Sequence, residues 1–139
     1  MKAIVPALLL GILAGCATGP MPPAKLGPAE AKALATALDG RVPGTPVTCV
    51  SAINGRNLRA IGNNTLIYQF SRKTVYRNDL MGACNGLSMG DPMVMTVTNN
   101  QYCRGDIARV VNVQSGMMTG SCALGEFVPY TRPEDAKKP

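Results

Sequence analysis

The order of apolar and polar positions divides the chain into parts of different character. Residues 3–13, AIVPALLLGIL, are apolar and uncharged throughout. Residues 17–27, ATGPMPPAKLG, hold Pro20, Pro22 and Pro23 and have little to bury, so 16–27 reads as a partly extended tether. Residues 28–40, PAEAKALATALDG, have helical spacing: Leu34 and Leu38 lie four apart on one face with Ala31 and Ala35. Pro28 suits a first helical turn, Glu30 suits the positive helix end and Gly40 is a stop signal. A helix this short needs a partner surface.

From Arg41 the period changes to short apolar runs between turn residues. Residues 40–46 read as a loop. Strands are predicted over 47–53, 56–61, 65–70 and 74–77. Asn54-Gly55, Gly62-Asn63-Asn64 and Ser71-Arg72-Lys73 are the turns that would join them into a four-stranded meander. A Gly-rich loop holding Cys84 covers 79–92. Two further strands are predicted over 93–98 and 107–113, with Asn99-Asn100 as a turn and 114–121 as a loop. Phe127, Val128 and Tyr130 should pack on the domain, and 133–139 form a polar tail. The β-rich region is 41–132. About six short strands with one N-terminal helix predict a mainly β fold, a small antiparallel barrel or sandwich.

The apolar run acquires a role from its flanks. Lys2 precedes it, and at eleven residues it is too short to span a bilayer, so 1–15 reads as a signal peptide. It ends in Leu13-Ala14-Gly15-Cys16, which resembles the bacterial lipobox. That resemblance implies cleavage before Cys16, a diacylglycerol on its thiol and a fatty acyl group such as palmitate on the new amine. Two or three chains, at about 0.8 kcal/mol per buried CH₂, make a stable anchor where one does not. Ala17 in place of Asp implies, by Gram-negative analogy, the periplasmic side of the outer membrane.

Setting Cys16 aside leaves Cys49, Cys84, Cys103 and Cys122. An even number in a small exported domain predicts two disulfides, each contributing on the order of 3 kcal/mol through the unfolded state. We favour Cys49–Cys103 with Cys84–Cys122. The nested pairing Cys49–Cys122 with Cys84–Cys103 stays open, because spacing does not choose. No C-x-x-C occurs, so neither a thioredoxin-like nor a zinc motif is supported. With only two Phe, four Tyr and no Trp, the core should rely on aliphatic residues.

The chemistry-bearing residues are sparse. The chain has no histidine, which removes the commonest general base and metal ligand. Asp79, Asp91, Asp106 and Glu126 are isolated in sequence, no serine has a partner to activate it, and Lys73 alone is available for a Ser–Lys dyad. Met81, Met89, Met93, Met95, Met117 and Met118 suggest a soft-metal site less than core filling. No cofactor and no metal is therefore expected. Asp106 should accept backbone N–H bonds in its own turn. The net charge of +6 is concentrated. Arg41, Arg56, Arg59, Arg72, Lys73 and Arg77 follow one another with no acidic residue among them. Arg56, Arg59, Arg72, Lys73 and Arg77 are thus candidate contacts for anionic lipid or an acidic envelope protein, with nucleic acid excluded by the exported location.

Several stretches together resemble a family. They are the lipobox, Gly40-Arg41-Val42-Pro43-Gly44, Cys49, Tyr76-Arg77-Asn78, Cys84-Asn85-Gly86-Leu87, Cys103-Arg104-Gly105-Asp106 and the closing Cys122-Ala123-Leu124-Gly125-Glu126-Phe127-Val128-Pro129-Tyr130. The chain looks like the small proteobacterial, sphingomonad-type lipoproteins classed as a domain of unknown function. The resemblance implies compartment and fold, and no activity. The expected function is that of a non-enzymatic envelope lipoprotein that binds a protein partner or an anionic envelope component. The alternative is a small periplasmic inhibitor or accessory subunit.

Overall fold

A computed structural model describes residues 25–53 and 58–136. The expected signal peptide, Cys16, most of the expected tether, the expected Asn54-Gly55 turn and Arg56 lie outside the described residues. The helix α1 (Pro28–Ala37) is shorter than its apolar spacing suggested, because Leu38 already leaves helical geometry and Gly40 takes φ 66°. Glu30 accepts the Gly27 backbone N–H at 2.8 Å and so closes the first turn.

Ten strands follow among the described residues. They are β1 (Val42–Pro43), β2 (Cys49–Ser51), β3 (Leu58–Ile61), β4 (Thr65–Gln69), β5 (Thr74–Asp79), β6 (Met93–Met95), β7 (Gln101–Cys103), β8 (Ile107–Val111), β9 (Met118–Ala123) and β10 (Phe127–Thr131). All pair antiparallel, in three sheets ordered β1-β10-β5-β4-β3, β2-β7 and β6-β8-β9. The fold is mainly β as expected, with ten strands in place of about six.

The extra strands have physical causes that local pattern hides. β10 contains Pro129, which argues against an internal strand, yet it lies between β1 and β5 and pairs along its length with β5. Its carbonyl accepts the N–H of Gly44 at 2.8 Å. β9 contains Gly120, whose missing side chain leaves room for the backbone of Asn85. The expected meander holds for β3-β4-β5 only. β2 does not return on β3; it pairs with β7, Cys49 opposite Cys103, and the two are disulfide-bonded. A covalent tie and a distant strand override the local hairpin signal. The second disulfide joins Cys84 to Cys122 and anchors the 79–92 loop to β9.

The five-stranded sheet has two differently covered faces. Ile61, Ile67 and Val75 meet Leu34 of α1, with Leu26, Ala37 and Leu38 around them. Leu58, Ala60, Leu66, Tyr68, Tyr76 and Phe127 point to the other face and meet Val50, Ala108, Val110, Cys84, Cys122 and Leu124. This larger core is not purely aliphatic. Tyr68, Phe70, Tyr76, Tyr102 and Phe127 form a connected set of ring contacts with centroids 5.9–6.3 Å apart. Tyr68 is fully buried and donates its hydroxyl to Ser51 O at 2.7 Å, which ties the main sheet to β2.

The end of the chain is not a bare tail. Pro133–Ala136 forms a short helix, α2, whose Asp135 reaches Lys73 at 3.2 Å.

Candidate functional site

Among the described residues, several of the motifs that carry the family resemblance turn out to be fold determinants. Gly86 adopts φ 99°, and a side chain there would strike Thr119 and Asp91. Leu87 is in the core. Asp106 accepts the Cys103 N–H at 2.7 Å across Gly105 (φ 91°), the local role expected of it. In the closing stretch, Leu124 and Phe127 are buried, and Gly125 sits on the backbone of Asp79 with no space for a side chain. The buried Asn78 carboxamide pairs with both backbone polar groups of Gly125. These residues explain why the fold holds and do not by themselves make a site.

The basic residues fall into two groups: Arg41, Arg72 and Lys73 meet at the β4–β5 turn, and Arg59 and Arg77 lie on one face of the sheet, on either side of Ile67. Arg41 donates to the carbonyls of Lys73 (2.6 Å) and Arg72 (3.4 Å) and so braces the β4–β5 turn. Lys73 is paired with Asp135. Arg77 binds Asp79 through two nitrogens, at 2.9 Å each. Burial works against its charge, but the hydrogen bond and charge of Asp79, with a further contribution from Tyr130, hold the guanidinium above its ordinary pKa. Arg72 is exposed in the turn. Arg59 is exposed on β3, and among the described residues no ion pair engages it. The run of positive charge in sequence is therefore not one basic patch; three of its members are occupied within the fold.

The methionines also divide. Met93 and Met95 pack against the core, as expected, but Met89, Met117 and Met118 are exposed. Among the described residues no three His, Cys, Asp or Glu side chains converge as metal ligands. Lys73, the only candidate for a Ser–Lys dyad, is 67% exposed and held by Asp135.

What the fold does build is a groove. β3 ends the five-stranded sheet and β6 ends the three-stranded sheet. Between these two terminal strands lies an open groove of about 650 Å³, lined by Leu58, Arg59 and Ala60 from β3 and by Met93, Val94 and Met95 from β6. That volume is in the roughly 300–1,000 Å³ range of ligand clefts. The buried Leu66 and Leu87 also contribute to its lining. Asp91 also lines it but is engaged, accepting from Asn112 at 3.1 Å and Thr119 at 3.3 Å. Arg59 is thus the cation that the groove offers. The arrangement is suited to holding a ligand.

A second, smaller depression of about 350 Å³ lies on the outer face of the β6-β8-β9 sheet, between Val94, Ile107, Arg109 and Asp106. Val94 and Ile107 are more than half exposed there.

Sequence reasoning marked Arg59 but missed the groove around it. Met93 and Met95 carried a usable signal, two same-face residues on one strand. Their neighbour across the groove is about 35 positions away, a separation that no local pattern reveals.

The chain belongs to a family of unknown function, DUF6491, whose profile matches residues 1–137. No curated protein and no solved structure gives a match.

Proposed function

We propose that the protein is a non-enzymatic lipoprotein of the bacterial cell envelope, and that its β domain binds a protein partner in the groove between β3 and β6. The observation that carries this reading is the groove itself, a cleft of mixed polar and apolar lining flanked by two terminal strands, with an arginine on its edge that no ion pair engages among the described residues. The anchor is argued from Leu13-Ala14-Gly15-Cys16 and the uncharged run before it. Two disulfides fit an oxidising compartment. Anchoring at Cys16 with a Pro-rich tether would present the domain to envelope proteins. The absence of histidine from the sequence and the isolation of its acidic residues favour binding over catalysis. Arg77 and Lys73, both held in ion pairs, speak against a broad anionic-lipid surface.

The test is site-specific photo-crosslinking of the lipidated protein in intact envelopes. p-Benzoylphenylalanine at Val94, which lines the groove and is 56% exposed, should give a discrete protein adduct. The same group at Ile107, which is 54% exposed and lines the second depression with Val94 but not the groove, should not. No adduct at Val94, or the same adducts from both positions, would overturn the reading.

A further inference from the structure

We infer that the groove takes an extended polypeptide segment that pairs with the outer edge of β3 and alternates apolar with acidic side chains. This rests on the groove being the binding site. The first support is the strand edge. Among the described residues β3 pairs with β4 alone, and β6 with β8 alone. A terminal strand presents a row of alternating backbone donors and acceptors along its free side. Another strand satisfies such a row over several residues; an acyl chain or a sugar does not.

Register supplies the side-chain pattern. Leu58 and Ala60 face the larger core, beside Met93 and Met95. Residues of an added strand on that face enter the groove and meet methionine and leucine, so they are apolar. Arg59 lies between Leu58 and Ala60 and belongs to the opposite face, the one that carries Ile61. The residue of an added strand directly across from Arg59 is its closest neighbour on that face, and an acidic side chain there gains from the pair. The net positive charge draws acidic segments in the same sense. Arg59 also acts against the wrong partner. An antiparallel β3–β3 pair between two copies would bring two arginines together on one face, so self-pairing is opposed where an acidic strand is admitted.

The probe is a capped eight-residue peptide alternating valine and glutamate, titrated against the full lipidated protein in detergent and read by fluorescence anisotropy and amide hydrogen exchange. The peptide should bind, and the amides of Leu58–Ile61 should gain protection. Two N-methylated versions carry methyl groups on one backbone edge or the other. One should lose affinity at least tenfold and the other should keep it, because only one edge pairs with β3. Arg59→Glu should reverse the preference at least tenfold, toward a valine–lysine peptide. Because Arg59 is exposed, this variant should keep the parent's circular dichroism spectrum, which is recorded alongside. Failure of the peptide to bind, equal binding of both N-methylated forms, or an Arg59→Glu protein with unchanged preference overturns the inference. If any of these accompanies a groove-specific crosslink from Val94, the partner binds in another manner and the proposed function stands. If the crosslink is missing as well, both fall.

Discussion

The side chain of Asn78 does the work of a neighbouring strand for Gly125. Its Nδ2 donates to Gly125 O at 2.8 Å and its Oδ1 accepts the Gly125 N–H at 2.9 Å, both buried. Gly125 interrupts the path between β9 and β10, where no ladder partner is available to its backbone. A carboxamide reproduces the donor and acceptor of a peptide group at the right spacing. Asn78→Ala should therefore leave two buried polar groups unpaired, at about 1–3 kcal/mol each. We expect a loss of about 2–4 kcal/mol, read as a lower urea midpoint with an unchanged slope. A loss under about 0.5 kcal/mol would mean that water replaces the amide.

The two disulfides should open in a fixed order. Their loops span 54 and 38 residues, so chain entropy assigns about 4 kcal/mol to each and does not separate them. Access does. Cys84 is 0% and Cys122 5% exposed, whereas Cys49 and Cys103 are half-buried. Graded reduction under native conditions, followed by alkylation and peptide mapping, should label Cys49 and Cys103 first. Labelling of all four together would show that reduction proceeds through global unfolding.

Arg77 and Asp79 should contribute modestly and without pH dependence near neutrality. Their side chains are 24% and 39% exposed, so screening limits the coupling to about 0.5–1 kcal/mol in a double-mutant cycle with Arg77→Met and Asp79→Asn. The folded-state pKa of Arg77 is raised. Its stabilisation is then fully present below the unfolded value and is lost only as pH rises through the folded one, in strongly alkaline solution. From this group, stability measured between pH 6 and 9 should show no slope. A slope in the parent that Arg77→Met abolishes would contradict the assignment.

Cys16→Ser should release the protein from the membrane fraction and abolish incorporation of a palmitate analogue. Retention in the membrane with no label in either form would remove the lipid anchor from the proposal. Because Cys16 would carry lipid, the parent should show no free thiol.

Much of the fold was legible where chemistry is local. The helix start at Pro28, the turns at Gly62-Asn63-Asn64 and Ser71-Arg72-Lys73 and the strands β4 and β5 follow from period and turn residues. Ser71 shows why: its hydroxyl accepts the N–H groups of Lys73 and Thr74 within the turn itself. β9 and β10 were not legible, because Gly120 and Pro129 weaken the local signal that distant partners then override, and β7, Gln101–Cys103, is too short to carry a pattern of its own. The favoured cysteine pairing proved right, but only the ladder that sets Cys49 opposite Cys103 gives it a cause.

The sequence by itself determined an uncharged apolar run over 3–13 with a lipobox-like end, a β-rich chain, a helix after Pro28 and a thiol count that pairs evenly once Cys16 is set aside. All of these depend on neighbours within a few positions. Tertiary structure alone decided the rest. Pairing across the chain placed β2 on β7 and divided the basic residues into two groups. Leaving β3 and β6 each at the end of its sheet opened the groove in which Arg59 stands unengaged among the described residues. Such relations join residues tens of positions apart, and they are fixed by burial and backbone pairing of the whole domain.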